Sequence, residues 1–148
     1  MFYMQEFEIV KDGDVYIALP FDLPGGTQGD SLGNATRMAG EWLHDEMVHS
    51  LMSETPLPEP TFGNAPHQGG RVVLVGMEAT LSDAPSVSAS EAAVRLGVSR
   101  PRITKMLQTG QLEGWKDGRN TRVTVASIDA RLAEHPNAER PQKQSAIA

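Results

Sequence analysis

Cysteine is absent from the 148 residues of this chain. That excludes a disulfide framework and a thiolate metal centre, and it fits a reducing compartment. Long hydrophobic runs are missing too. The longest, RVVLVGM (71–77), falls far short of a membrane-spanning helix. The first residues, MFYMQEFEI, carry acids where a secretory signal would carry bases. These absences predict a soluble, cytoplasmic protein with no membrane partner. Positive charge is scarce in the first half. Residues 1–80 hold only Lys11, Arg37 and Arg71 against twelve Asp and Glu, so 3 − 12 = −9. Residues 81–148 hold ten Lys and Arg against seven Asp and Glu, so 10 − 7 = +3. Such a split within a chain of net charge −6 predicts different partners for the two halves.

The length allows one ordinary domain or two small ones with thin cores. Local pattern favours two. FYMQEFEIV reads as a strand, KDGD as a hairpin turn at Asp12-Gly13, and VYIALP as the return strand ended by Pro20. FDLPGGTQGD is dense in turn residues, with room for a short strand near Gly26–Gln28. Ser31 is placed to cap a helix whose apolar positions Leu32, Ala35, Ala39, Trp42, Leu43 and Leu51 fall mostly on one face. Gly33 and Gly40 weaken that helix intrinsically, so packing must hold it. ETPLPEPTFGNAPHQGG, with four prolines and three glycines, is an extended connection. GRVVLVGME is a strand with apolar residues on both faces. The first half therefore reads β-β-β-α-β, a small α+β layer with a helix across one sheet face.

LSDAPS (81–86) reads as a linker. Beyond it, Ser88 or Ser90 caps a helix over roughly 90–96, stopped at Gly97. Ser99 caps another over roughly 100–108, with Pro101 tolerated in its first turn. LEGWKDGRNTRVTV reads as a hairpin with Asp117-Gly118 at its tip. VASIDARLAEH is a last helix, begun near Ser127 and stopped by Pro136. The polar tail 137–148 is expected to be disordered. The sequence contains no internal repeat.

With Gly97 as a turn glycine, the two middle helices form a helix-turn-helix. Ala92, Ala93 and Leu96 fall on the inner face of the first helix, and Val98, Ile103 and Met106 on that of the turn and second helix. Ala93 is small where the helices cross closely, and Gly97 permits a positive φ. Left outward at the start of the second helix are Ser99, Arg100, Pro101, Arg102, Thr104, Lys105 and Gln108. A recognition helix reads bases with its N-terminal residues; Arg pairs with guanine and Gln with adenine. The hairpin adds Lys116, Arg119, Asn120 and Arg122, placed as a wing that grips phosphates. The DNA-binding set is thus Ser99, Arg100, Arg102, Thr104, Lys105, Gln108, Lys116, Arg119, Asn120 and Arg122.

SASEAAVRLGVSRPRITKMLQTGQL followed by KDGRNTRVTV resembles the winged helix-turn-helix of the excisionase and MerR-like group, over about residues 87–134. The resemblance implies that Arg100, Arg102 and Lys105 face the major groove and that Arg119 and Arg122 hold the backbone. The acidic half also carries a resemblance. KDGDVYIALPFDLPGGTQGDSLGNA, then LPEP at 57–60 and RVVLV at 71–75, is similar to HicB-type antitoxin domains. That family is expected to carry a partial RNase H-like layer. Here Gly33 and Asn34 stand where the family has Glu, so the capping box is expected to be lost. The family's Cys near Gly26–Thr27 is missing.

The resemblance implies an antitoxin that covers a small basic RNA-cleaving toxin of the HicA type and represses its own operon. The alternative is a stand-alone transcriptional regulator whose first domain dimerises or senses a ligand. The expected domains are 1–80 (HicB-like), 81–86 (linker), 87–136 (winged helix-turn-helix) and the 137–148 tail. A homodimer or higher oligomer is expected, because one recognition helix reads too few base pairs. The RVVLV strand is the favoured interface.

Neither an enzyme nor a cofactor or metal is expected. Of Asp12, Asp14 and Asp22, two sit in a hairpin turn, where Asp is favoured for geometry alone. The histidines of HDEMVH (44–49) are five apart, about 140° around a helix, and do not share a face.

Overall fold

A computed structural model of the chain describes residues 1–134. The chain forms two compact units, Met1–Asp83 and the residues from Ala84 onward. The tail expected over 137–148 and the stop at Pro136 lie outside the described residues. No described helix is long and apolar enough to cross a membrane.

The first unit is α+β. It contains β1 (Phe2–Asp12), β2 (Val15–Pro20), β3 (Thr27–Gly29), α1 (Leu32–Ser53) and β4 (Arg71–Glu78), then a single 3₁₀ turn, Leu81–Asp83. The sheet order is β3-β2-β1-β4, with every neighbour antiparallel. Strand alternation puts Tyr3, Gln5, Phe7 and Ile9 of β1 on one face. All four are buried, and the Phe7 ring meets Trp42 of α1 edge-on at 5.9 Å between centroids. Helix α1 covers this face with Ala35, Ala39, Gly40, Leu43, Met47, Val48 and Ser50. The predicted apolar stripe is present, but Leu32, Trp42 and Leu51 lie only half-buried at its margin.

The helix start corrects one expectation. Ser31 caps it, its Oγ accepting from the Asn34 N–H at 3.0 Å. The Asn34 side chain accepts in return from the Asp30 N–H at 2.9 Å. The reciprocal cap survives without Glu, because an asparagine oxygen reaches a donor one residue further out.

The other sheet face carries Glu6 and Glu8, and the connection between α1 and β4 crosses it. Glu8 is only 2% exposed. Its two oxygens accept the N–H groups of His67, Gln68 and Gly70, each at 2.8 Å. Glu6 accepts from the N–H groups of Gly63 and Asn64. Asp22 accepts from the Thr61 N–H and hydroxyl. From the α1-facing side of the sheet a second relay reaches the same connection: the Asp22 N–H donates to Gln5, Gln5 to Tyr3, and Tyr3 to the Pro58 carbonyl. Carboxylates thus fix a connection too rich in proline and glycine to make its own ladder.

These bonds make the first unit acid-sensitive. Removal from water raises the Glu8 pKa, but three backbone donors outweigh it and hold the carboxyl below its ordinary 4.5. Asn64 and Gly63 lower Glu6 in the same way. Where the folded pKa lies below the unfolded one, the unfolded chain binds more protons between the two values. This stabilisation is therefore complete above about pH 4.5 and is lost as pH falls through the folded values. With Trp115→Phe leaving Trp42 as sole reporter, urea midpoints are expected to drop steeply below that pH. Adding Glu8→Gln should lower the midpoint at neutral pH and flatten the acid limb. An unchanged limb would contradict the assignment.

The second unit contains β5 (Ser86–Ser88), α2 (Ala89–Leu96), α3 (Arg100–Gln108), β6 (Gly114–Asp117), β7 (Asn120–Thr124) and α4 (Val125–Glu134). Its three strands pair in the order β5-β7-β6. The core joins Ala89, Ala92, Ala93, Leu96, Ile103, Met106, Leu112, Val123 and Ile128. Two boundaries differ from expectation. The 81–86 stretch contains the 3₁₀ turn and the first residue of β5. Helix α4 begins two residues early, because Thr124 rather than Ser127 caps it: the Ser127 N–H donates to the Thr124 hydroxyl at 3.2 Å.

Candidate nucleic-acid interface

The turn between α2 and α3 is built as the sequence requires. Ser88 Oγ accepts from the Glu91 N–H and starts α2. Gly97 ends it at φ 69°, its N–H and that of Val98 closing onto the Val94 and Ala93 carbonyls. A side chain at this left-handed position is strained, which glycine avoids. Ser99 then caps α3, accepting from the Arg102 N–H at 3.3 Å, with Pro101 in the first turn, where no intrahelical donor is needed. Ser99 therefore has a structural duty at the tip of the helix.

Ile103 and Met106 point into the core and are fully buried. Arg100, Arg102, Thr104, Lys105 and Gln108 are exposed. Spacing by four lines up Arg100, Thr104 and Gln108, with Pro101 and Lys105 on the adjacent row. Three cations thus stand in the first two turns of a helix whose first turn contains no acid. The positive end of the helix dipole adds to their field.

The hairpin β6–β7 is rooted against α3. A Cβ at Gly114 would run into the Arg122 carbonyl oxygen and crowd Leu107 of α3, so the close approach of strand to strand and helix needs glycine here. Lys116, Arg119 and Asn120 are exposed. Lys116 also donates to the Thr121 hydroxyl across the hairpin at 3.0 Å. Arg122 is different. Its Nε donates to the Ser86 hydroxyl at 3.1 Å and its Nη2 to the Ser86 carbonyl at 2.8 Å. This guanidinium ties β7 to β5. Sequence reasoning missed Ser86 as its partner, because β5 is three residues long and carries no periodic signal.

Arg119 and Arg122 should consequently behave differently. Arg119→Ala is expected to leave the thermal midpoint of the second unit unchanged and to flatten the salt dependence of DNA binding. Arg122→Ala breaks two hydrogen bonds to Ser86, each worth roughly 0.5–1.5 kcal/mol. It should lower the midpoint as well. Calorimetry beside salt-titrated gel shifts separates the two; equal midpoints would remove the structural role of Arg122.

No catalytic constellation forms from the other residues considered. Asp12 and Asp14 are exposed at the first hairpin, while Asp22 is held by Thr61. His44 pairs with Asp83 at 2.9 Å, fastening the 3₁₀ turn to α1. No group of three metal-ligating side chains occurs among the described residues.

No curated protein and no solved structure matches the chain. Residues 87–136 match the family model of a helix-turn-helix domain. The matched span contains α2, the Gly97 turn and α3, so the fold of these elements and the family match point the same way.

Proposed function

We propose that the protein is a sequence-specific DNA-binding transcriptional regulator. It lays α3 in the major groove, with Arg100, Arg102, Thr104, Lys105 and Gln108 toward base edges. Lys116, Arg119 and Asn120 of the hairpin meet phosphates, with Arg122 bracing β7 of that hairpin against β5. The observation that carries this reading is a cationic outer face on α3, beside a cationic hairpin, in a chain that is acidic overall. Selection from random duplexes by the full chain should yield a defined motif, with affinity falling as salt rises. Retention of no sequence above bulk DNA would overturn the reading.

A second reading concerns the first unit. Its β-β-β-α-β order and its 3 − 12 = −9 balance over residues 1–80 support neutralisation of a small basic toxin of the HicA type, with repression of the shared operon. Complementary charge speeds such an encounter. Co-expression of the full chain with a basic toxin encoded beside it should restore growth. Growth arrest that the intact protein leaves unrelieved leaves the regulator reading alone.

A further inference from the structure

The first unit ends on one side in a strand whose outer edge no described strand pairs. The order β3-β2-β1-β4 leaves two edges. Strand β3 is three residues long and packs against α1, which is how folds blunt an edge. Strand β4 is eight residues long and holds neither proline nor lysine. Near it, Leu74 is 55% and Phe2 61% exposed.

Register fixes which groups face outward. Met1 donates its ammonium to the Ala79 carbonyl at 3.0 Å, and the Ala79 N–H donates back to the Met1 carbonyl at 2.8 Å. Mutually bonded pairs recur at every second residue of an antiparallel ladder. Tyr3–Met77, Gln5–Val75, Phe7–Val73 and Ile9–Arg71 are therefore the bonded pairs of β1 and β4. The N–H and C=O groups of Val72, Leu74, Gly76 and Glu78 point the other way, off the edge.

We propose that a second copy of this chain adds its β4 antiparallel to this edge, about a two-fold axis at Leu74, so that two four-stranded sheets become one. The axis stands perpendicular to the sheet, so each copy keeps its helix on the same side and only residues of like parity face one another. Leu74 then meets Leu74 of the second copy. Val72 faces Gly76, over which the Phe2 ring and Met4 of the same chain pack closely. The outward N–H and C=O groups of residues 72, 74 and 76 pair reciprocally. Arg71 and Glu78, the charged residues of β4, stand at its opposite ends and on opposite faces of the sheet. In this register Arg71 faces Met77 of the second copy and Glu78 faces Gly70, so no like charges are set directly opposite one another. The inference does not rest on the DNA-binding reading, although it doubles the recognition helices in each particle.

Sedimentation equilibrium of the full chain at micromolar concentration should give about twice the 16.0 kDa chain mass. Leu74→Lys should give the single-chain mass with unchanged circular dichroism, because the side chain is exposed and each copy keeps its own fold. The chain lacks cysteine, so one introduced thiol reports cleanly. Facing residues in such a pair have Cα atoms about 5.5 Å apart, within disulfide reach. Leu74→Cys should form a disulfide-linked dimer on oxidation, whereas Gln28→Cys, exposed on β3, should not. A single-chain mass for the unaltered protein overturns the proposal. So does a dimer that survives Leu74→Lys while Leu74→Cys fails to cross-link. Loss of DNA binding by either variant at unchanged mass bears on the DNA reading alone.

Discussion

Alanine at both Arg100 and Lys105 is expected to weaken operator binding by roughly 1–3 kcal/mol for each base-reading contact removed. The two side chains leave adjacent rows of the exposed face of α3, and neither row contributes to the core. Folding should therefore be untouched, and the loss should be largest on the preferred sequence. Arg119→Ala offers the comparison, since a phosphate contact weakens all sequences alike and lowers the salt slope by about one. Gel-shift affinities unchanged in the double variant would remove α3 from the groove.

The second large effect is on stability. Ile103 is fully buried among Leu96, Met106, Val123 and Ile128. Truncation to alanine there is expected to cost about 2–5 kcal/mol. A unit this small has little reserve, so a large part of it should unfold at physiological temperature and DNA binding should fail with it. Each unit contains one tryptophan: Trp42 reports the first and Trp115 the second. In Ile103→Ala with Trp115→Phe, the Trp42 transition in urea should stay in place. In Ile103→Ala with Trp42→Phe, the Trp115 transition should move to lower urea. Movement of both would show that the two units unfold as one.

Much of this architecture can be read along the chain, where the forces are local. Asp12-Gly13 and Asp117-Gly118 announce hairpins because turns demand particular φ values within a few residues. Ser31, Ser88 and Ser99 announce helix starts because a cap reaches only three residues ahead. The exposed face of α3 is legible because burial of Ile103 and Met106 dictates what remains outside. Long-range partners leave no such trace. A glutamate at position 8 reads as a solvent-facing strand residue, yet it holds a turn some sixty positions later. Arg122 reads as a phosphate grip, and its bonds to Ser86 depend on a strand too short to show a period. The run RVVLV suggests a strand buried on both faces. In the fold it lies at an edge, where only Val75 is buried.

The strand order has a consequence for how the chain is made. β1 is synthesised first, and its β2 neighbour follows within a few residues. Its β4 neighbour emerges only after all of α1 and the connection beyond it. At about 5–20 residues per second, the first strand waits several seconds on the ribosome with one flank unfilled. Closing so long a loop also costs more chain entropy than closing the β1–β2 hairpin. A nascent chain stalled before Arg71 would hold a complete hairpin and a helix while the central strand of the future sheet still offered its backbone to any passing strand.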